Sequence, residues 1–600
     1  MRLHCNQSSR FPDDIARPPR QIVHRGNRGP SKVAGEQPRP GVAALAARLR
    51  DMARRLDARP SGRNLYDAAT TALIGALIIL VFATFDDYAI SNDEEVQHRY
   101  GELIIRYYRS GFTDESLFGF DNLYLYGGLF DVVAVLASSI LPFEVYHIRH
   151  VMCGLIGVGG IAATAMTARL VAGPRTGALA AALLAVFGLW YGGMFNHTKD
   201  IPFATGMMAA SYVLLRAMRD LPRPPCRHVV LFGLFLGMTL AQRATGLLLL
   251  GYVVIAILLQ MPSAGGPTLR QRLRHACESL IAFAPAVLIG YLIMIAFWPW
   301  ASLQLLNPIH AIFAFAHFHY KIRTIFAGQV YFMDAVPRWY IPTYVLIKLP
   351  PIMLIGAALT FLFASVPQVT RWFGIEVRRR EIALLACTVL LPLCLQVIAH
   401  GPAFTGMRHF IFVVPPLAVI GAFGLDTALS ALASWRRVAA ASAGALTVAF
   451  LAWDAATLVR LHPHQYLVYN ALVGGMQGAA GRYDTDYWGN IIPEAVDSLQ
   501  AHLDGAEDDP YWPSKHPYTI AVCGERMAFE KEKRPGMQWT RDWERADFFI
   551  APTHMKCDLA IPGTVIARIV RLGVPIGVVK DIRAHRLETI ARRPSSRRTP

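Results

Sequence analysis

Long apolar stretches recur along this chain, near 66–85, 148–169, 176–195, 201–217, 229–243, 245–261, 279–299, 341–366, 381–399, 409–427 and 437–458. Stretches of about 17–25 apolar residues fit helices that cross a bilayer, so the pattern predicts an α-helical polytopic membrane protein with about eleven transmembrane helices. A twelfth apolar stretch, 123–141, carries Gly127, Gly128 and Asp131 and is bounded by Asp121 and Glu144. It predicts a surface or half-inserted helix within the first external loop. Beyond His462 the pattern changes to short β-rich segments at 518–522, 548–550 and 575–579, with a helix expected at 564–571. That alternation predicts a small C-terminal α/β domain. The chain therefore divides into a basic segment 1–65, a membrane domain 66–460 and a C-terminal domain 461–600.

Composition sharpens this reading. At 54% hydrophobic residues and a mean hydropathy of +0.34, the chain is too apolar for an ordinary soluble protein. The net charge of +17 is not a nucleic-acid signal, because residues 1–65 hold 14 Arg/Lys against 5 Asp/Glu and the rest lies largely in short loops. The basic loops are 169–175, 216–227, 270–274, 371–380 and 436–437. Placing them and the N-terminus in the cytoplasm satisfies the parity of eleven crossings and leaves the C-terminal domain outside. Residues 1–65 lack the apolar core of a cleavable signal peptide. Of these, 1–40 read as disordered; 41–59 read as a basic amphipathic helix on the cytoplasmic leaflet, or as an unstructured leader. The eight cysteines show no CxxC spacing, but Cys523 and Cys557 share the C-terminal domain and are a candidate pair if it is extracytoplasmic. No internal repeat is evident, against a transporter built from duplicated halves.

The chemistry concentrates where the first apolar stretch ends. A membrane helix usually exits into Lys, Arg, Trp or Tyr. This one exits into Asp86, Asp87, Asp93, Glu94 and Glu95, followed by His98, Arg99, Glu102, Arg106 and Arg109. Such a run predicts an acid/base or ion-binding loop on the non-cytoplasmic side. On a helix over 92–109, Asp93, Gln97 and Tyr100 share one face, and Glu94 and His98 the next. Glu95–Arg99 and Glu102–Arg106 read as surface i,i+4 pairs. Asp93 and Glu94 open the helix, as caps or as a general base with a second contact. Asp200, preceding Ile-Pro and accompanied by His197 and Lys199, is a second site acid or a helix cap. Asp93, Glu94 and Asp200, with His197, form a candidate ligand set for Mg²⁺, Mn²⁺ or Zn²⁺, with metal dependence left open. Lys199, Arg243, Lys321, Arg323, Lys348 and Arg408 lie on or just inside the external side. Arg408 and Lys348 are the best candidates to hold a phosphate, since cations at apolar helix ends are costly unless paired; the alternative for each is snorkelling. The loop 307–340, with His310, His317 and His319 among aromatics, reads as an interfacial helix over a lipid substrate or as an aromatic belt.

Asp93-Glu94-x5-Tyr100-x-Glu102 after the first membrane helix resembles the acidic signature of GT-C membrane glycosyltransferases of the family-39 type, the protein O-mannosyltransferases and aminoarabinose transferases. The segment Phe195 to Phe203 is similar to the second motif of bacterial members. His462-Pro463-His464-Gln465-Tyr466, Tyr469-Asn470, Gly474-Gly475 and Tyr483 to Gly489 resemble a further segment common in them. The resemblance covers roughly 66–490. The spacing from Glu94 to Tyr100 is longer than in the aminoarabinose transferases, so that substrate is not supported. The resemblance implies inverting transfer of a sugar from a polyprenyl-phosphate donor to an extracytoplasmic acceptor (protein, lipid A or glycan), by a multi-pass enzyme of the inner membrane. It implies Asp93 as base, with Glu94 and Asp200 as the other catalytic acids. His98, Tyr100, His197, Lys199, Lys321, Arg323, Lys348 and Arg408 are the implied substrate ligands, and Tyr466, Tyr487 and Trp488 are candidates to stack on sugars. Membrane lipids are expected partners and nucleic acid is not. The rival readings are a transporter or flippase for a lipid-linked or anionic substrate, and a noncatalytic scaffold.

Overall fold

The computed structural model describes residues 62–264, 266, 268–316, 321–366, 378–505 and 517–584. The leader helix at 41–59, His317 and His319, most of the basic loop 371–380 and the basic tail lie outside the described residues. The principal helices are α1 (Gly62–Thr84), α2 (Glu94–Arg109), α3 (Leu129–Ser138), α4 (Val145–Ala172), α5 (Pro174–Ala185), α6 (Gly188–Asn196), α7 (Asp200–Met218), α8 (Cys226–Leu240) and α9 (Leu248–Ala264). They continue as α10 (Leu269–Phe297), α11 (Asn307–Ala316), α12 (Tyr340–Lys348), α13 (Pro351–Ser365), α14 (Arg379–Ala399), α15 (Val414–Trp435), α16 (Arg437–Leu461), α17 (Ile492–Asp504) and α18 (Arg526–Glu532).

Among the described residues, eight helices are long and apolar enough to cross a bilayer, and ten crossings result if two bent pairs each count once. This is a multi-pass membrane protein. The bent pairs are α5 with α6, at 64°, and α12 with α13, at 110°. The second bend follows from Leu349-Pro350-Pro351: residues before a proline are driven out of the helical region, and Leu349 and Pro350 are both extended. The eleventh expected crossing corresponds to α8, whose 15 residues extend about 22 Å and return the chain from the far end of α7 to Arg243, which pairs with Asp200 at the near end. The stretch 123–141 contains only the ten-residue α3, about 15 Å long, in keeping with a helix that does not cross.

Burial separates the crossings. The most apolar windows of α15 and α7 are 89% and 78% buried, whereas those of α16 and α1 are only 6% and 11% buried. Residues such as Ile79, Trp453 and Val459 are largely exposed on these outer helices. An apolar surface of that extent is stable only against lipid. Inside, α13 and α15 approach through their backbones: a methyl group on Gly424 would meet the Gly356 carbonyl oxygen at 1.9 Å. Close contact through small residues is the usual device where lipid supplies no hydrophobic drive between helices.

The short α3 is held by the ends of two longer helices. The Gly128 N–H donates to Phe297 C=O at 2.9 Å and the Leu129 N–H to Ala241 C=O at 3.1 Å. The N-terminal donors of α3 thus satisfy C-terminal acceptors of α10 and α8. Gly127 permits the approach, since a Cβ there would lie 2.1 Å from the Ala241 oxygen.

External to the membrane helices, β1 (Arg323–Phe326) and β2 (Gln329–Phe332) form an antiparallel hairpin. Its turn, Ala327-Gly328, has positive φ at both residues, the form that matches strand twist. The C-terminal sheet contains β3 (Tyr518–Val522), β4 (Met537–Trp539), β5 (Phe548–Pro552), β6 (Thr564–Arg571) and β7 (Val574–Asp581), in the order β4-β3-β5-β7-β6. β3 runs parallel to β4 and β5, and β7 antiparallel to β5 and β6. The helix expected at 564–571 is instead β6. Val565, Ile566, Ile569 and Val570 are β-branched, and pairing with β7 decides the conformation. The stretch 462–491, grouped by hydropathy with the C-terminal domain, packs against the membrane-domain loops: Lys348 donates to Tyr466 C=O at 3.0 Å and the Asn470 side chain to Leu346 C=O at 2.6 Å.

Candidate active site

A cavity of about 380 Å³ opens where the start of α2, the loop 196–200, the start of α7 and the turn before α15 meet. Its wall carries the acids Asp93, Asp121 and Asp200, the cations Lys199, Arg243 and Arg408, and His197 and His409. Asp93 caps the start of α2 by position, but its side chain makes no capping hydrogen bond. Glu94 closes that turn instead, its own N–H donating to Ser91 C=O at 3.1 Å and its carboxylate accepting from the Ser91 N–H at 2.8 Å. The Asp93 carboxylate is therefore left facing the cavity, 3.2 Å from the Arg408 guanidinium.

Behind this wall lies a buried polar network. Glu94 is wholly buried, 3.3 Å from His150 and 3.9 Å from Arg149. Burial alone would raise its pKa, but His150, Arg149 and the Ser91 N–H together hold it below the usual range. Arg149 donates to Asp131 at 2.9 Å and to Thr198 at 3.3 Å, and Thr198 donates to Gln97 at 2.6 Å. The network fixes the loop 196–200 and so aims Lys199.

Lys199 is the distinctive cation. It is buried, lies 4.5 Å from the Tyr126 ring centre and 3.9 Å from Asp131, and its ammonium makes no hydrogen bond among the described residues. Burial pulls its pKa down to about 8, with Asp131 opposing the fall. Arg243 and Trp488 also present a buried N–H to this region without an acceptor, at Nε and Nε1 respectively. Arg243 pairs with Asp200. Arg408 lies 4.5 Å from the Trp488 ring centre. Burial, followed by Arg408 and Arg243, holds the His197 imidazole far below its usual pKa and hence neutral; Tyr487 Oη lies 3.3 Å from its Nε2. An anion placed here would meet unpaired donors, and a proton acceptor, Asp93, stands on the same wall.

Of the residues expected from sequence, Asp93, Asp200, His197, Lys199 and Arg408 line the cavity, as do Arg243 and Trp488. The others do not. Glu94 is turned into the protein. His98 lies 3.9 Å from Glu102 along α2, and Tyr100 is buried with its hydroxyl donating to Tyr126 C=O. Lys348 is carried by the α12–α13 bend onto the 465–470 turn, 3.6 Å from the Tyr469 ring centre, so it is already paired. Lys321 is exposed over Phe332, and Arg323 faces a different cavity. Asp93, Glu94 and Asp200 do not fit a metal ligand set: each is held by a different cation, and no group of three His, Cys, Asp or Glu is placed to hold an ion among the described residues.

Several participants escaped the sequence reading. Asp131 and Arg149 were visible only as charges inside apolar stretches, a signal that usually marks function or pairing. Asp484 lies inside the motif segment Tyr483 to Gly489, where nothing in the sequence marks it as a hub. It accepts from Thr324, Tyr340 and Tyr344 hydroxyls and from the Gly406 N–H, at 3.0–3.1 Å. It thereby ties the β1–β2 hairpin to the loop that delivers Arg408.

Residues 134–301 match the family described as dolichyl-phosphate-mannose-protein mannosyltransferase. This part of the chain is protein-mannosyltransferase-like. The match spans α4 to α10 and includes Arg149, the loop 196–200 and Arg243. It agrees with the family-39 resemblance drawn from Asp93 and the later motifs. No curated protein sequence matches the chain. Among solved structures, ArnT from Cupriavidus metallidurans in the apo state aligns with a TM-score of 0.45 and 15% identity, over 86% of this chain and 98% of that one. The Archaeoglobus fulgidus oligosaccharyltransferase tethered with an acceptor peptide aligns at 0.42 and 14%, over 75% and 61%. The arabinofuranosyltransferase AftD from Mycobacteria aligns at 0.40 and 12%, over 87% and 40%.

Proposed function

We propose that this protein transfers a sugar from a polyprenyl-phosphate donor to an acceptor on the non-cytoplasmic face of the inner membrane, by inverting displacement. The observation that carries the reading is the buried Lys199 ammonium, without a hydrogen-bond partner among the described residues, in the same cavity wall as the Asp93 carboxylate. The family matched by 134–301 is described by a lipid-phosphate sugar donor, which suits that arrangement.

The acceptor hydroxyl or amine attacks the anomeric carbon and Asp93 takes its proton. The bond from that carbon to the phosphate oxygen breaks, and its electron pair leaves with the lipid phosphate. Lys199 meets the negative charge that develops there, and a fixed cation in a water-poor site stabilises such charge far more than water does. Arg408 orients Asp93, Arg243 orients Asp200, and neutral His197 stands with Trp488 on the same cavity wall. Orientation is supported by the basic loops expected in the cytoplasm and by the Cys523–Cys557 disulfide of the C-terminal domain, a bond that persists in oxidising compartments.

The test is donor turnover. Wild type and Asp93→Asn, both purified folded, are incubated with radiolabelled polyprenyl-phosphate sugars and membrane extract as acceptor source. Label passing from lipid to a new product with wild type, and falling at least about a hundredfold with Asp93→Asn, is the expected result. Equal transfer by the two proteins refutes the mechanism.

A further inference from the structure

The Lys199 ammonium is buried, yet no hydrogen bond holds it among the described residues. Aromatic rings take that role. Its nitrogen lies 4.5 Å from the Tyr126 ring centre and 5.7 Å from that of Tyr100. The Arg243 guanidinium carbon lies over the same Tyr126 ring, at 5.8 Å. A cation within about 6 Å of an aromatic face is attracted by the ring quadrupole, and more strongly once water is stripped from it. Such attraction is soft in direction and leaves the N–H groups open. A carboxylate at hydrogen-bond distance would instead occupy the donors that an arriving anion needs. Among the described residues Asp131 is the only acid within 4 Å of Lys199, at 3.9 Å and beyond hydrogen-bond reach. Arg149, Arg243 and Asp93 complete the charged groups that face it.

The backbone fixes Tyr126 from both sides. Its N–H donates to Leu123 C=O at 2.9 Å, and its C=O accepts from the Tyr100 hydroxyl at 3.2 Å. Gly127 and Gly128 follow directly, clamped against Ala241 and Phe297. Arg243 stands two residues beyond Ala241, so one contact with the end of α8 places both the ring and the guanidinium. The ring also packs against Phe315 of α11, with centres 4.7 Å apart. Tyr126, Lys199 and Arg243 all line the first cavity.

We infer that Tyr126 is a positioning residue whose ring holds Lys199 and Arg243 as a pair of cations with open donors, aimed at the phosphate of the lipid donor. The inference rests on the reading of the first cavity as the donor site. Both cations keep a nitrogen without an acceptor among the described residues, Lys199 at Nζ and Arg243 at Nε. Two neighbouring positive charges repel, and an electron-rich ring in contact with both offsets part of that cost. When charge develops on the phosphate, the ammonium turns toward it without first breaking a hydrogen bond. The interaction therefore strengthens in the transition state rather than in the resting site. The Tyr126 hydroxyl has no part in this, so the property belongs to the ring.

The test uses the full chain in nanodiscs, with the ring varied at nearly constant shape. Tyr126→Phe is the reference. Difluoro- and trifluorophenylalanine, introduced at the same residue by stop-codon suppression, withdraw ring electrons and cancel the quadrupole while keeping the packing. The readout is the alkaline limb of polyprenyl phosphate release. Weaker attraction favours the neutral amine, so the limb is expected to move toward acid stepwise, by about one pH unit from phenylalanine to trifluorophenylalanine. In a Lys199→Arg background the same series is expected to leave the limb in place. Limbs that coincide across the series overturn the inference, as does an equal movement in the arginine background. Binding of polyprenyl phosphate alone, followed over the same pH range, separates this inference from the reading beneath it. Lipid bound with the graded limb but without sugar transfer removes the transfer reading and keeps the role of the ring. Wild type that does not bind the lipid overturns both.

Discussion

Raising the pH from neutrality should remove the proton of Lys199 well before that of an ordinary lysine. Its fall from 10.5 to about 8 corresponds to about 3 kcal/mol of lost solvation not returned by Asp131. Near pH 7 about nine in ten of these side chains carry charge, and near pH 9 about one in ten do. If the ammonium meets the departing phosphate, donor turnover falls about tenfold over that interval. Two variants move the alkaline limb in opposite directions. Asp131→Asn removes the carboxylate 3.9 Å away and shifts the limb toward acid, whereas Lys199→Arg keeps its charge and carries the limb beyond about pH 10. The assay is initial-rate release of polyprenyl phosphate across about pH 6 to 10 in nanodiscs. An identical limb in Lys199→Arg, or an alkaline shift in Asp131→Asn, refutes the assignment. Stability has its own sign: the native state binds fewer protons than the unfolded chain between about pH 8 and 10.5, so this group's contribution rises with pH across that window.

Glu94→Gln should lower the thermal midpoint, because breaking a buried charge cluster costs about 3–5 kcal/mol, whereas Asp93→Asn should spare the midpoint and abolish turnover; differential scanning fluorimetry beside the transfer assay distinguishes the two adjacent acids. Cys523→Ser/Cys557→Ser removes a link across 34 residues of sequence, worth about 4 kcal/mol by loop entropy, and should show as proteolytic sensitivity near the turn His554–Leu559. Asp484→Asn replaces the charged acceptor shared by three hydroxyls and the Gly406 N–H with a neutral amide; about 2 kcal/mol of destabilisation is expected, with a larger loss in kcat than in donor affinity.

The cavity was readable in sequence where its chemistry interrupts a strong pattern. Asp93 stands out because acids follow an apolar helix directly, and His197, Lys199 and Asp200 because they crowd one short loop. Glu94 shows the limit of such reading. Adjacent helical residues point about 100° apart, so one acid faces the cavity and its neighbour faces Arg149. Lys348 failed for a different reason: proline spacing announces a bend, but not the direction in which 110° carries the preceding side chain. Arg149 stands between His147 and His150 at the edge of an apolar stretch, where it reads as a helix-end cation, and Arg323 and Lys556 are brought to one cavity only by tertiary structure. The strand at 564–571 was lost to local ambiguity that pairing with β7 resolves.

The outer helices α1 and α16 have lipid for most of their neighbours, and their external ends are tied by Asp87 and His462 at 2.7 Å. From that knot the chain runs one way to Asp93 and the other to Tyr487 and Trp488. Both walls of the chemistry are therefore suspended from helices whose tilt answers to acyl-chain length. A change in bilayer thickness that tilts α1 or α16 would pull on Asp93 and Trp488 together, with no ligand bound.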